Sequence, residues 1–223
     1  MKTNQVVTDG DLALLRGVRY LDMTGCQNIT DDSLPLVAVG CNLHTLNITG
    51  CWKLTNAAFA HLAGIHTLNM SSCDQNTITD AAFSHLTGIH TLAMANCNQN
   101  TITDAAFAHL TGIHTLWINR CNQNTITDAA FAHLAGIREL NMSSCNQVTI
   151  TDAAFTYLAG ILTIHLFGCN LTPKAMHALI VAVINGTFGR FVRKVYMDED
   201  YTYEFDDELL WFRDYGVIVA TQY

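Results

Sequence analysis

Five cysteines recur at intervals of 24 residues, and this spacing decides what chemistry their thiols can do. They are Cys73, Cys97, Cys121, Cys145 and Cys169, out of eight cysteines in the chain. One cysteine per repeat is neither the paired pattern of a disulfide framework nor the Cys-x-x-Cys pattern of a zinc site. We expect reduced, buried thiols that pack as small apolar side chains with a weak donor. Reduced thiols in turn predict a cytoplasmic location.

Histidines recur in two further columns, where a column means the residues at one position of successive repeats. The first column is His44, His66, His90 and His114, and the second is His61, His85, His109 and His133. If adjacent repeats lie roughly 5 Å apart, as strands in a sheet do, such imidazoles are able to chelate a transition metal. The alternative is plain repetition, which we favour because no column of carboxylates or thiols completes a metal site. We therefore predict no metal site and no cofactor.

The two histidine columns also predict a response to acid. Neighbouring imidazoles resist being charged together, so their folded pKa values should fall below the ordinary value of about 6.5. Stability should then be lost as the pH drops through that value.

These residues are positioned by an internal repeat. Four consecutive 24-residue copies begin Ile-x-x-Leu-x-[Met/Ile]-x-x-Cys and continue into Thr-Ile-Thr-Asp-Ala-Ala-Phe; they are Ile65–Gly88, Ile89–Gly112, Ile113–Gly136 and Ile137–Gly160. Looser units start at Val18, Leu43 and Ile161, which makes seven strand units. We number repeat positions from the isoleucine, so that Ile65 is position one and Cys73 is position nine.

Each repeat predicts one short strand and one short helix. Apolar residues at positions four and six alternate with variable ones at three, five and seven, which is the period-two pattern of a half-buried strand. Thr79 and Asp80 are suited to cap a helix that continues to Leu86, and Gly88 is suited to end it. Neither element can bury its apolar face alone, so the repeats must stack into a solenoid. The parallel strands should line the concave side, and Phe59, Phe83, Phe107, Phe131 and Phe155 should stack beneath the helices.

The repeat resembles the cysteine-containing subfamily of leucine-rich repeats, which is familiar from the substrate-binding halves of F-box proteins. The copy Cys26-Gln-Asn-Ile-Thr-Asp-Asp-Ser-Leu34 follows that pattern closely, and the likeness covers about residues 6–172. The resemblance implies an α/β leucine-rich-repeat solenoid, with a curved parallel sheet on the concave face and short helices on the convex face. The 24-residue unit is shorter than is usual there, and phenylalanine replaces the usual helix leucine. We expect no F-box before the first repeat, which leaves a role in ubiquitin ligation unsupported.

The repeat fades after residue 171. We predict leucine-rich repeats over 1–171 and an α+β C-terminal capping region over 172–223. The tail should contain a helix from Thr172-Pro173 to about Asn185 and strands near Phe191–Met197, Tyr201–Phe205 and Val217–Thr221, with a short helix between Asp206 and Asp214. An acidic aromatic docking surface around Tyr196–Phe205 is the alternative to a plain cap.

Charge and hydropathy narrow the range of partners. The net charge is −8 and Lys plus Arg number only 11, so a surface that neutralises phosphates is hard to assemble, and we predict no nucleic-acid partner. No apolar run reaches the roughly 18 residues of a membrane span, and the amino-terminal residues lack the pattern of a secretory signal. We therefore predict no membrane association. A homodimer through an uncapped end of the solenoid remains open.

Differences between the near-identical copies point to a binding face. Ile65–Gly88 and Ile89–Gly112 differ at five of 24 positions, and three of these are positions five, seven and eight. Exposed helix positions vary far less, which favours selection for binding over free drift. The predicted partner-binding residues are Trp117, Asn119, Arg120, Arg138, Glu139, Asn141, His165, Phe167, Asn69 and Asn96.

The predicted function is a non-catalytic protein-protein interaction module that binds its partner on the concave face. The sequence offers no nucleophile paired with a base, no paired carboxylates and no Gly-rich phosphate loop, so we do not expect an enzyme. Two alternatives remain open. One is a structural or engineered consensus scaffold, because copies this alike are readily designed. The other is a module that binds carbohydrate or a peptide end through small polar residues.

Overall fold

A computed structural model shows how the repeats stack. It describes residues 7–38, 43–170, 172, 174–175, 177–179, 181, 193–198 and 217–222. The α-helices of the repeats are α1 Asp9–Leu12, α2 Leu34–Val37, α3 Asn56–Phe59, α4 Asp80–Phe83, α5 Asp104–Phe107, α6 Asp128–Phe131 and α7 Asp152–Phe155. Residues 174–175, 177–179 and 181 are also helical. Single 3-10 turns cover Ala13–Leu15, Asp31–Ser33, Ser84–Leu86, Ala108–Leu110 and Ala132–Leu134.

The strands form one parallel sheet in chain order. They are β1 Tyr20–Asp22, β2 Thr45–Asn47, β3 Thr67–Asn69, β4 Thr91–Ala93, β5 Thr115–Trp117, β6 Glu139–Asn141, β7 Thr163–His165, β8 Arg193–Asp198 and β9 Val217–Gln222. Equivalent repeat positions are paired, as Leu68 with Leu92 and Leu92 with Leu116. The predicted leucine-rich-repeat solenoid is therefore confirmed, with strands on the concave side and short helices on the convex side.

The core is a stack of identical layers. Positions one, four, six and nine are buried in each central repeat, as Ile89, Leu92, Met94 and Cys97 show. The predicted phenylalanine column is also buried, from Phe59 to Phe155. Because a three-residue strand and a one-turn helix have little core of their own, each layer is completed by its neighbours.

The helix caps match the sequence prediction only in part. The Oγ1 atoms of Thr79, Thr103 and Thr127 each accept a hydrogen bond from the backbone N–H two residues later, as expected for an N-cap. Gly88, however, does not directly end the helix. It has φ +83° after Thr87, at φ −56° and ψ 126°, and the N–H of Ile89 donates to the carbonyl of Leu86 at 2.9 Å. These angles define a type II turn, in which the third residue needs a positive φ.

The aspartate that follows a capping threonine binds the next repeat. Asp104 accepts hydrogen bonds from the N–H and the Oγ1 of Thr127, both at 2.7 Å. The same pair of bonds joins Asp9 to Thr30, Asp31 to Thr55, Asp80 to Thr103 and Asp128 to Thr151. We call this series the Thr–Asp ladder. The sequence interpretation of these aspartates as caps of their own helix is thus incomplete, because their carboxylates bind the following repeat.

The cysteine column forms a second ladder inside the core. The thiol of Cys121 donates to the carbonyl of Met94 at 3.0 Å, and Cys73, Cys97, Cys145 and Cys169 donate to the same position of the preceding repeat. Burial raises the pKa of the Cys73 thiol to about 11 and the pKa values of Cys51 and Cys121 to about 12. No disulfide joins the cysteines in the described part of the chain. The thiols therefore act as buried donors, as the sequence predicts.

The described part of the tail continues the sheet. β8 pairs in parallel with β7 and β9 in parallel with β8, so two of the predicted tail strands are confirmed and extend the same layer. The helix predicted from residue 172 is confirmed at residues 174–175, 177–179 and 181, which are helical, and its other residues after 172 lie outside the described part of the chain. The predicted strand at 201–205 and helix at 206–214 also lie outside the described residues. The division at residue 171 stays a prediction. Within the described residues, no helix has the length and apolar character to cross a membrane.

Candidate binding face

The candidate site is the open face of the sheet, which carries positions three, five and seven of each repeat; we call it the concave face. Side chains alternate along a strand, so these positions point away from the buried leucines at position four. Position five of successive strands reads Asp22, Asn47, Asn69, Ala93, Trp117, Asn141 and His165, and Tyr196 continues the row.

Trp117 is the largest exposed side chain in the centre of this face. It keeps 41% of its surface exposed, and its Nε1–H donates to the Oε1 of Glu139 at 3.0 Å. Its strand neighbour Ala93 is only 5% exposed, unlike the half-buried Asn69 of the preceding strand. The indole is thus held by a hydrogen bond and by its neighbours. Less side-chain conformational entropy is therefore lost when a partner binds it.

A second group of rings lies on the last strands of the face. The rings of His165 and Tyr196 stack with centroids 4.2 Å apart, and the Phe167 ring lies 6.2 Å from Tyr196. Partial burial lowers the pKa of His165, and the nearby Glu139 carboxylate acts in the opposite direction. Partial burial thus favours the neutral form of this imidazole, whose ring stacks on the phenol of Tyr196.

Trp117, Asn141, His165 and Tyr196 occupy the same position of four consecutive strands. With strands about 4.8 Å apart, the row extends over about 14 Å. We call these four residues and Phe167 the aromatic row. The sequence predicts Tyr196 in the capping region, or in an acidic docking surface of the tail, and not in the row of strand residues on this face. The available signal was the pattern Val195-Tyr196-Met197, in which a half-buried residue separates two buried ones, as in the repeats.

Asn69 and Asn141 have local roles that their sequence variability did not reveal. The Oδ1 of Asn69 accepts from the N–H of Ser71, and the Oδ1 of Asn141 accepts from the N–H of Ser143. Such a bond over two residues shapes the turn after the strand. Both side-chain amides are half-buried on the concave face, and the Oδ1 of each already accepts one hydrogen bond.

Position eight is constrained by the backbone. Ser72, Asn96, Arg120 and Ser144 have φ between 57° and 61°, and Gly25, Gly50 and Gly168 have φ between 65° and 71°. Glycine and asparagine tolerate this left-handed conformation, so part of the variation at position eight follows from the turn. Ser72, Arg120 and Ser144 adopt the same conformation, so the turn imposes it on each copy, and Arg120 differs from the other residues here in its length and charge.

The remaining predicted site residues lie around the aromatic row. Asn119 is half-buried at position seven beside the exposed Arg120, and Arg138 is exposed at position two next to Glu139. Asn96 follows β4, the strand next to Trp117, and its backbone N–H donates to the carbonyl of Asn119 at 3.0 Å. Asn69 lies on β3, two strands from Trp117. The structure thus brings most of the predicted residues to one half of the face and leaves Asn69 outside it.

The first histidine column lies along one edge of the concave face. The rings of His44, His66, His90 and His114 are stacked, with centroids 4.2 to 4.5 Å apart and interplanar angles of 10° to 16°; we call them the histidine stack. Desolvation, followed by the charges of neighbouring histidines and arginines, lowers the pKa values of His44 and His90. The predicted direction is confirmed for these two residues.

A cavity of about 360 Å³ lies on the loop side of the solenoid, away from the concave face, between the last repeats. The described residues that line it are partly apolar, as Phe155 and Cys145 are, and partly polar, as Gln147 and Asp152 are. The Asp152 carboxylate already accepts from Thr172 and lies 3.8 Å from the Lys174 ammonium. This carboxylate therefore contributes to the Thr–Asp ladder.

Comparison with known proteins agrees with the fold. A model of the BspA type leucine rich repeat region matches residues 39–162 in six copies, and a search of curated protein sequences finds no match. Human 5T4, or trophoblast glycoprotein, superposes with a TM-score of 0.64 at 19% identity, over 92% of this chain and 81% of its own. A chain of the Drosophila Toll–Spatzle complex gives a TM-score of 0.60 at 10% identity, over 81% of this chain and 23% of its own. At these identities the two structures show a common fold alone.

Proposed function

Because the chain belongs to the BspA-type leucine-rich-repeat family, we propose that it is a non-catalytic module that binds a protein partner on its concave face. The aromatic row is the observation that carries this proposal. The Toll–Spatzle structure shows that a chain of this fold takes part in a protein complex. A nucleic-acid partner and a membrane are not part of the proposal, since the chain carries a net charge of −8.

The aromatic row has the properties of a binding hot spot. Tryptophan, tyrosine and arginine dominate measured hot spots because they combine a large contact area with directional donors. Trp117 and Tyr196 supply such area, and Arg120 lies three residues beyond Trp117 on the same rim. Burying the exposed part of these rings would stabilise a complex at roughly 25 cal/mol per Å² before the cost of association.

The side chain of Arg120 supports the same site. The left-handed turn is common to the repeats, and the equivalent residues are serine, asparagine or glycine. Nothing in the described fold requires an arginine there. We infer that its guanidinium contacts the partner, with an acidic group as the matching chemistry.

Cytoplasmic location is also part of the proposal. The cysteines in the described part of the chain form no disulfide, and thiols of this kind persist in reducing compartments. The proposal also includes a homodimer that forms through an open end of the solenoid. It includes no catalytic activity.

The repeats themselves supply the variant for the test. Changing Trp117→Asn, Asn119→Ser and Arg120→Ser together gives the fifth repeat the concave residues that the third repeat already has, namely Asn69, Ser71 and Ser72. The fold accepts those residues at the same positions, so the variant should fold. A matched control carries Ala132→Arg, which changes the exposed convex side of the same repeat.

Wild type, triple variant and control are used to capture proteins from extract of the source cells, and each captured protein is then purified and titrated by calorimetry. We expect a partner that binds the wild type and the control equally, with at least a tenfold loss of affinity for the triple variant. Far-UV circular dichroism checks that all three are folded. Equal affinity for the triple variant would show that Trp117, Asn119 and Arg120 do not contact the partner, which would remove the centre of the proposed site.

A further inference from the structure

The seventh repeat has a shorter loop after its cysteine than the four copies before it. Four residues separate Cys145 from Ile150 in the sixth repeat, whereas a single residue separates Cys169 from Leu171, which stands at the equivalent place in the sequence. The seventh repeat therefore has no counterparts of three loop residues, namely Gln147, Val148 and Thr149.

Contacts on both sides of this shortened loop keep the register of the repeats. The N–H of Asn170 donates to the Oδ1 of Asn146 at 3.1 Å, as the N–H of Asn146 does to Asn122. The Oγ1 of Thr172 donates to the Oδ1 of Asp152 at 2.6 Å. The cavity of about 360 Å³ lies where the three residues are missing. Its volume is within the range of roughly 300–1,000 Å³ that is typical of ligand sites.

The preceding repeats show what normally fills this space. The Oγ1 of Thr149 donates to the carbonyl of Ile126 at 2.7 Å, and the carbonyl of Thr149 accepts from the N–H of Asp128 at 3.3 Å. The hydroxyl group makes the same bond to the preceding repeat at three other positions, Thr77, Thr101 and Thr125. Each loop thus binds the repeat before it as a short peptide segment.

Three polar groups of the sixth repeat have no such segment beside them. The carbonyl of Ile150 and the N–H of Asp152 are equivalent to the two groups that Thr149 binds one repeat earlier, and neither has a hydrogen-bond partner in the described part of the chain. The amide of Gln147, which is 7% exposed, also has none among the described residues. In the same column, the Nε2 of Gln99 donates to a backbone carbonyl. Because unpaired buried polar groups cost free energy, a ligand that pairs them is favoured.

The wall of the cavity is also partly apolar. Ile150 is half-buried, whereas its counterparts Ile78, Ile102 and Ile126 are fully buried. Val148 is 85% exposed and stands where the three earlier copies have asparagine. The copy with an apolar residue at this position is thus the one that lines the cavity.

We propose that this cavity binds an extended peptide segment of a partner protein, with the pattern Gln-x-Thr that fills the equivalent space in the earlier repeats. The threonine hydroxyl of the segment donates to the carbonyl of Ile150, and its carbonyl accepts from the N–H of Asp152. The amide of Gln147 pairs with the backbone of the segment, and an apolar residue packs against Val148. Such a site uses backbone hydrogen bonds for affinity and side-chain pockets for specificity, as other proteins that bind extended peptides do.

The test uses an acetylated and amidated peptide, Asn-Gln-Val-Thr-Ile, which copies residues 146–150 of the chain. It is titrated into the ¹⁵N-labelled full chain at pH 7.5 and followed by NMR. We expect saturable shifts of the backbone amide of Asp152 and of the side-chain amide of Gln147. A peptide with alanine in place of threonine should bind about tenfold more weakly, because it lacks the hydroxyl that donates to Ile150.

Variants of the chain locate the bound peptide. Inserting Gln-Val-Thr between Asn170 and Leu171 gives the seventh repeat the loop of the sixth, which should fill the cavity and abolish binding. Gln147→Leu should weaken binding about tenfold, whereas the matched control Gln123→Leu, one repeat earlier in the same column, should bind as the wild type does. Circular dichroism verifies the fold of each variant.

The site on the loop side is independent of the concave face, so the triple variant of the concave face should bind this peptide with unchanged affinity. Failure of that face to bind a partner would therefore leave the peptide site standing. Absence of saturable binding by the wild type, or equal losses of affinity for Gln147→Leu and Gln123→Leu, would overturn the proposal. Undiminished binding by a folded insertion variant would do the same.

Discussion

The Thr–Asp ladder makes a sharp prediction about what holds neighbouring repeats together. Changing Asp104 to alanine removes two hydrogen bonds, from the N–H and the Oγ1 of Thr127, both at 2.7 Å. A hydrogen bond to a charged group contributes about 1.5–3 kcal/mol. Because both bonds share one half-buried carboxylate, their contributions are not additive, and we take the upper part of the range for a single bond as the value for the pair. The free energy of unfolding should fall by about 2–3 kcal/mol.

The chain contains its own control for this change. At the equivalent position Asn56 replaces the aspartate; its Oδ1 accepts from the N–H of Thr79 and its Nδ2 donates to the Thr79 Oγ1, both at 2.9 Å. Asp104→Asn should therefore keep both bonds and lose mainly the interaction of the charge with the helix amino terminus, which is about 0.3–1 kcal/mol. A separate variant, Asp74→Asn, removes the same charge from an exposed loop and should change stability by less than about 0.5 kcal/mol.

Urea unfolding at pH 7.5, followed by circular dichroism, measures the three variants against the wild type. For a slope of about 2 kcal/mol per molar, Asp104→Ala should lower the midpoint by about 1 M or slightly more, and Asp104→Asn by less than half of that. If alanine and asparagine at position 104 are equally stable, the carboxylate does not bind Thr127 in the way described, and the ladder is not a source of stability.

Three other predictions follow from the core and the concave edge. Phe107→Ala should lower the free energy of unfolding by about 3–5 kcal/mol, because Phe107 is fully buried in its column; a loss below about 1 kcal/mol in urea unfolding would contradict the stacked core. The lowered pKa values of His44 and His90 mean that the folded chain binds fewer protons than the unfolded chain. The melting temperature should therefore decrease as the pH falls from 7.5 through about 6.5, and His90→Gln should reduce that decrease; an unchanged melting temperature at pH 5.5 would refute this. Since burial raises the pKa values of Cys51, Cys73 and Cys121 to about 11–12, these thiols should react with a thiol reagent at pH 8 only after unfolding in urea; rapid reaction of all the cysteines in the native protein would show that the column is open.

The layered core was predictable from the sequence because its pattern is local. Leu92 and Met94 alternate with variable residues, and Phe107 follows a threonine-aspartate pair, so the strand, the cap and the buried face can be recognised within one repeat. The prediction that Trp117 lies on the exposed side of the sheet rests on the same alternation. The 41% exposure of the Trp117 side chain agrees with this prediction.

The tertiary structure decided which groups meet between repeats. The partner of the Asp104 carboxylate lies 23 residues further along the chain, and the carbonyl that accepts from Cys121 lies 27 residues back. The stacking of Tyr196 on His165 and the parallel rings of the histidine stack depend on the same register. A periodic sequence shows that equivalent residues form columns. It does not show side-chain rotamers, the direction of a hydrogen bond or the left-handed turn at Arg120, since these are set by the distance and orientation of the repeats after they have packed.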